Sequence, residues 1–259
     1  MPQTTSPVES IHVRCEGRTG WITLDRPPLN ILNIPMLHGL GNAVHRLVHE
    51  CDVIVFRGAG EKGFSAGVEV ADHVPGRVEE MLKAFHGVFR QLWRAECLTV
   101  AAVHGYCLGG GCELATFCDF VVASESAQFG QPEIRLGCFP PVAMITLPCL
   151  VGHRAASELI LTGRPVTAQQ AREMGLITRL ASDDQLDAEV GALLSELGTS
   201  SRSVLRLTRK TLWQRSGMDF EKALHDLEEV YLKDLMLSHD AAEGIRAYLE
   251  KRPPVWQGR

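Results

Sequence analysis

Four short runs rich in β-branched and apolar residues, 21–24, 53–57, 99–103 and 120–123, are separated by stretches whose apolar residues recur at helical spacing. That alternation predicts repeated strand–helix units, and so an α/β chain rather than an all-helical or all-β one. The first helix opens at Pro35, whose fixed φ suits a first turn, and it lines up Leu37, Leu40, Val44, Leu47 and Val48 on one face. A second helix is predicted over about 78–93. Beyond Val122 the pattern changes: 168–174, 187–197, 204–214 and 220–236 read as helices, and only the surroundings of Ile177 suggest another strand. In the last of these helices Phe220, Ala223, Leu224, Leu227, Val230 and Tyr231 form an apolar stripe, with Asp219 placed as N-cap. The stripe reads as core packing, or as a surface partly covered by a second subunit.

Composition narrows the class. With 259 residues, 45% hydrophobic and 22% charged, the chain is long enough to bury a core without staples and unlike disordered, collagenous or coiled-coil sequences. No repeat, low-complexity segment or long linker divides it, so one core with a helical extension is expected. The net charge of −5 gives no general attraction to phosphate backbones, and nucleic acid is not expected as a partner. The first ten residues lack a secretory pattern, and no stretch approaches the roughly 20 apolar residues that cross a bilayer, which predicts a cytoplasmic protein without a membrane partner. Eight cysteines, none in a CxxC pair, read as reduced core thiols. His38, His45 and His49 share a helix face at a spacing that can hold zinc, but no nearby carboxylate completes the set. A solvated face, and no metal, is the expectation.

Three segments carry chemistry. The first is a glycine-rich turn at 58–68, after the strand at 53–57, and it contains Gly63-Phe64-Ser65-Ala66-Gly67, the G-x-S-x-G spacing of a hydrolase elbow. A true elbow joins its strand directly to a helix, whereas polar and glycine residues intervene here and Pro75 precedes the next helical run. The context favours a turn with free backbone amides over a Ser65 nucleophile. The second segment holds Gly109-Gly110-Gly111-Cys112-Glu113 before a short helix; Leu114 stands where a dinucleotide fingerprint needs glycine. Glycines running into a helix start either permit tight packing or leave amide N–H groups, backed by the helix dipole, free to bind an oxyanion. Cys112 has no local histidine to mark it as a nucleophile. In the third segment Glu133 follows Pro132 in an apolar stretch, where a carboxylate needs a task or a cation such as Arg135. Two amide-rich turns and two acids, Glu113 and Glu133, together describe a site.

At these residues the chain resembles the enoyl-CoA hydratase/isomerase superfamily, the crotonase fold. The resemblance runs from about residue 12 to 252 and rests on Leu24-Asp25-Arg26-Pro27, Gly63-Phe64-Ser65-Ala66-Gly67-Val68, Gly105 through Ala115, and Phe129-Gly130-Gln131-Pro132-Glu133. It implies an α/β, crotonase-like spiral of ββα units over 1–200 and a C-terminal helical region over 201–259 that assembles a homotrimer or a dimer of trimers. It also implies an acyl-CoA thioester substrate, a hydratase reaction and no cofactor, coenzyme A being part of the substrate. Carried over by position, the N–H groups of Val68 and Gly110 are the oxyanion hole and Glu113 and Glu133 the acid and base. Pro28, Ala66, Gly67 and Gly109 fall on substrate- and CoA-binding positions. His73 and His86 lie in the region that lines the acyl pocket, and Lys210 or Lys251 reads either as a surface charge or as a contact to CoA phosphates across a subunit boundary.

After Glu133 the chain departs from the usual hydratase pattern: it reads Phe139-Pro140-Pro141-Val142-Ala143-Met144-Ile145, with Pro141 in place of a glycine whose N–H helps orient the reacting groups. Along 27–32, 66–73 and 80–86 it is most similar to the cyclohexa-1,5-diene-1-carbonyl-CoA hydratases of anaerobic aromatic degradation. A general β-oxidation hydratase/isomerase and a thioesterase on the same fold are the alternatives.

Overall fold

The computed structural model describes residues 10–215 and 219–259; the opening residues read above for a leader lie almost wholly outside them. Among the described residues ten strands run in chain order as β1 Ile11–Glu16, β2 Thr19–Leu24, β3 Val53–Gly58, β4 Gly63–Ser65, β5 Leu98–Val103, β6 Tyr106–Leu108, β7 Phe120–Ser124, β8 Gln128–Gly130, β9 Val166–Thr167 and β10 Arg179–Ala181. The helices are α1 Ile34–Glu50, α2 Val78–Arg94, α3 Gly110–Thr116, α4 Pro141–Thr162, α5 Ala168–Met174, α6 Leu186–Gly198, α7 Arg202–Arg215, α8 Phe220–Lys233 and α9 His239–Leu249.

The strands form two sheets, ordered β1-β2-β3-β5-β7-β10 and β4-β6-β8-β9. β2, β3, β5, β7 and β10 are parallel, as are β4, β6 and β8, while β1 and β9 add antiparallel edges. Three times the chain makes one strand in the large sheet, one in the small sheet and then a helix: β3-β4-α2, β5-β6-α3 and β7-β8-α4. This is the expected spiral of ββα units. Burial on both faces explains the largely apolar central strands, with β5 buried at every position. α1 and α2 cover one face, and Val190 and Leu193 of α6 pack on Val53, Val55, Leu98 and Val100 on the other. Successive turns touch where Gly105, at φ +51°, backs onto Lys62; a Cβ there would sit 2.3 Å from the Lys62 carbonyl oxygen.

Helix starts follow local chemistry. Asn33 caps α1 by accepting the Met36 N–H, and Asp219 caps α8 by accepting that of Lys222. The C-terminal helices are tied back by Arg209, buried, which ion-pairs with Asp119 at 2.7 Å and donates to the Leu92 and Ala95 carbonyls. Trp213 stacks on Phe117 and donates to Asp119.

Four expectations need correction. β8 and β9 are further strands past Val122, and the one near Ile177 begins at Arg179; at two or three residues each they are too short to show alternation. α4 and α9 were not among the predicted helices; α4 carries prolines at 140, 141 and 148, two of them at its start, where a fixed φ is favourable. The cysteines are not all in the core: Cys15 and Cys149 are exposed, the other six buried. Finally, α4 is long and apolar enough by composition to span a bilayer, yet it breaks at Gly152 (φ +78°) and places Val142, Ala143, Leu147, Ala156 and Leu159 in the core, so it is a bent core helix.

Candidate active site

A cavity of about 330 Å³ opens between the first turn of α3, the loop after β4, the helical turn Pro132–Leu136 and the start of α4. Val68, Gly110, Glu113 and Glu133 all line it, together with Ala66, Gly67 and Gly109. Pro28 does not; it sits in an exposed turn outside this lining. One wall is apolar and aromatic, with Met81, Leu82 and Phe85 of α2, Phe139, and Tyr231 of α8.

The backbone donors arise from pairing geometry. Leu32 donates to the Gly67 carbonyl at 2.9 Å and accepts from the Glu69 N–H at 3.0 Å, so Val68 between them turns its N–H the other way. Gly110 is the first residue of α3, a position whose N–H has no intrahelical acceptor. Among the described residues neither N–H makes a hydrogen bond. The two segments are in contact: a Cβ on Gly67 would lie 3.5 Å from the Gly110 nitrogen, and one on Gly110 would strike Val68 Cγ2 at 2.7 Å and Phe85 Cζ at 2.9 Å. Only glycine fits between the loop and the α2 wall.

Glu113 lies one turn into α3, 3% exposed, and its Oε1 accepts the Ala143 N–H at 2.9 Å. As the third residue of α4, Ala143 has an N–H with no intrahelical acceptor, which leaves it available to this carboxyl. Burial pushes its pKa up to about 7, against the lowering pull of the Ala143 and Val142 N–H groups. Glu133 is held by the turn after Pro132; a Cβ on Gly109 would lie 2.7 Å from its Oε1, and Oε2 is shut from solvent with no hydrogen-bond partner. Burial first, and the nearby Glu113 charge second, push its pKa well above the ordinary carboxylate value. Arg135 makes no ion pair with it among the described residues, which removes the structural salt bridge weighed above. Burial thus favours the protonated form of both carboxyls, and the charge of either one disfavours ionisation of the other.

The nucleophile readings fail on geometry. Ser65 is fully buried, its hydroxyl donating to the Asn30 carbonyl at 2.8 Å and accepting from Gly67. Cys112 is buried in the core. His38, His45 and His49 are exposed, and His38 pairs with Glu80 at 3.2 Å. Lys210 pairs with Glu96 at 2.9 Å and is not among the residues that line the cavity, and Lys251 is exposed. Sequence reasoning missed Tyr231 as a site residue, since its place in an apolar stripe gave no sign of a cavity; burial and the neighbouring Cys138, Glu133 and Glu113 charges push its phenol well above its usual value. His73 and His86 both line the cavity, each pushed below the usual imidazole value by burial.

Comparison with known proteins gives a consistent result. Residues 16–259 match the family described as enoyl-CoA hydratase/isomerase. The cyclohexa-1,5-dienecarbonyl-CoA hydratase of Thauera aromatica is 33% identical over 261 residues, covering 100% of both chains. A probable enoyl-CoA hydratase of Mycobacterium bovis is 34% identical over 97% of this chain and 99% of its own length. The crystal structure of an enoyl-CoA hydratase from Mycobacterium avium subsp. paratuberculosis superposes with a TM-score of 0.87 at 26% identity, covering 97% of this chain and 100% of that one.

Proposed function

This chain belongs to the enoyl-CoA hydratase/isomerase family and is a hydro-lyase, and we propose that the thioester it hydrates is cyclohexa-1,5-diene-1-carbonyl-CoA, giving 6-hydroxycyclohex-1-ene-1-carbonyl-CoA. The observation that carries the hydratase chemistry is the pair of buried carboxyl groups, both with raised proton affinity, in one largely apolar cavity beside two unengaged N–H groups.

The thioester oxygen accepts hydrogen bonds from Val68 and Gly110, donors that strengthen as charge develops on it; one such donor is typically worth about 10²–10³ in rate. Ionised Glu113, oriented by Ala143, takes a proton from water as the water oxygen bonds to the β-carbon, and the C1–C2 π pair moves toward the carbonyl as a dienolate. Collapse of the dienolate re-forms the carbonyl and creates the C1–C6 double bond, while the C5–C6 π pair takes the proton from Glu133. One water is added, and proton exchange between the two acids resets them. For a linear enoyl group the proton would instead arrive at the α-carbon.

Two features support the ring. The Thauera relative carries that activity in its name. The acyl space is small and walled by Phe85, Phe139 and Tyr231, and Pro141 supplies no N–H at the helix start beside Glu113. Side-by-side assays with the ring diene and crotonyl-CoA test the reading: loss of diene absorbance with a product heavier by one water is expected, at a kcat/KM at least tenfold above that for crotonyl-CoA. The reverse preference would leave a general enoyl-CoA hydratase. We further propose assembly as a homotrimer or a dimer of trimers, for which the exposed Val204, Leu207 and Leu212 of α7 offer apolar surface.

A further inference from the structure

At the antiparallel edge of the large sheet two cysteines from different elements are brought together. β1 and β2 pair with Cys15 opposite Gly20, Val13 opposite Ile22 and Ile11 opposite Leu24, so these side chains share one face. That face meets α1: Ile22 and Leu24 are buried in the core with Leu40, Val44 and Leu47, and Ile11 and Val13 pack against it. Gly20 has no side chain, and the space it leaves is filled from the end of the helix. A Cβ on Gly20 would lie 3.0 Å from Cys51 Sγ and 2.9 Å from Leu47 Cδ1. Cys51 is the residue that closes α1, its N–H donating to the Leu47 carbonyl at 2.9 Å. Its sulfur therefore sits under the cross-strand partner of Cys15, and opposite Cβ positions in such a pair are only about 5 Å apart.

The two thiols act on each other directly. Burial pushes the Cys51 thiol up to about 11, and the charge and hydrogen bond of Cys15 push the same way, against the pull of Arg18. Their surroundings differ. Cys51 is 2% exposed, whereas Cys15 lies exposed on the edge strand. An outer thiol that a reagent can reach, backed by an inner thiol within hydrogen-bonding reach, has the layout of an attacking and a resolving cysteine. Cys107 and Cys112 are also hydrogen-bonded neighbours, but both are buried in the core and offer a reagent no entry.

We propose that Cys15 and Cys51 form a site of reversible oxidation, at which a low-molecular-weight disulfide converts the two thiols into a bond joining β1 to the end of α1. The Cys15 thiolate attacks one sulfur of the reagent, forming a mixed disulfide and expelling one small thiolate. Cys51 gives up its proton and attacks the Cys15 sulfur, which expels the second small thiolate and closes the Cys15–Cys51 bond. Two electrons pass from the cysteine pair to the reagent, and the two protons the cysteines lose end on the two small thiols released. The bond closes a loop of about 35 residues that contains all of α1, and it pins the edge of the large sheet to the helix covering it. Neither cysteine lines the active-site cavity, so the bond acts through stability.

The test treats the reduced full-length protein with oxidised glutathione, blocks remaining thiols by alkylation and maps the peptides by mass spectrometry, with thermal melting in parallel. The wild type is expected to lose two hydrogens, to give a peptide pair linked through Cys15 and Cys51, and to melt at least about 3 °C higher, all reversed by dithiothreitol. Cys15→Ser should show neither the linked peptides nor the rise. Cys51→Ala should stop at one glutathionyl group held on Cys15. Wild-type protein that stops at the mixed disulfide, or does not react at Cys15, overturns the inference without recourse to a variant. So does a linked protein that melts no higher than the reduced one, since the native fold would then not accommodate the bond.

Discussion

At the scale of single residues, the site depends on two carboxyl groups driven in the same direction by burial. Glu113 keeps the Ala143 N–H as a partner and is pushed up to about 7; Glu133, with an orphaned oxygen and a charged neighbour, is also pushed well above the ordinary carboxylate value. Because hydration needs Glu113 ionised, turnover should rise with pH through about 7. A kcat profile flat from pH 5 to 8 would refute this assignment. Glu113→Gln and Glu133→Gln should each lower kcat by roughly 10²–10⁴ with acyl-CoA still bound, read by single-turnover kinetics. Stability gives an independent check. The folded chain holds the Glu113 proton up to about pH 7 while the unfolded chain releases it near 4.5, so this group's contribution to stability is full below 4.5 and is lost as pH rises through 7. The melting temperature of Glu113→Gln should therefore gain on wild type between pH 5 and 8.

Among the elements, the start of α4 matters most to the chemistry. α4 opens at Pro141, and Glu113 takes its partner from the first-turn N–H of Ala143. Pro141→Gly should relax this edge and add a donor; the expected result is a several-fold shift in the ratio of kcat/KM toward crotonyl-CoA, and an unchanged ratio would show that the proline does not set acyl preference. The same element shows what was legible in the sequence. The glycine turns, Glu113 and Glu133 stood out because small residues and acids are conspicuous in apolar surroundings, and all of them meet in one cavity. α4 itself was hidden, since prolines usually announce a loop and only its neighbours reveal that they open a helix. The aromatic wall was equally silent: Phe85 and Tyr231 look like any other apolar stripe until a cavity lies beside them.

Across the whole molecule, the strand–helix alternation was readable because parallel strands buried on both faces are almost continuously apolar, whereas the two- and three-residue strands of the small sheet carry too few positions for any period. What binds the helical end to the spiral is concentrated in the buried ion pair of Arg209 with Asp119 and the aromatic group around Trp213. Arg209→Ala leaves Asp119 without its cation and should cost about 3 kcal/mol, a fall of several degrees in melting temperature by calorimetry; a change below one degree would show that α7 is held by other contacts. Sedimentation of the wild type should give three or six copies, and a monomer would refute the assembly proposed for α7. The cavity also borrows Tyr231, Gly244, Tyr248, Arg252 and Pro254 from the last thirty residues of the chain. A nascent polypeptide still tethered to the ribosome by that stretch would already carry both acids yet lack a finished pocket, so synthesis itself would delay the first turnover until the final helix has cleared the exit tunnel.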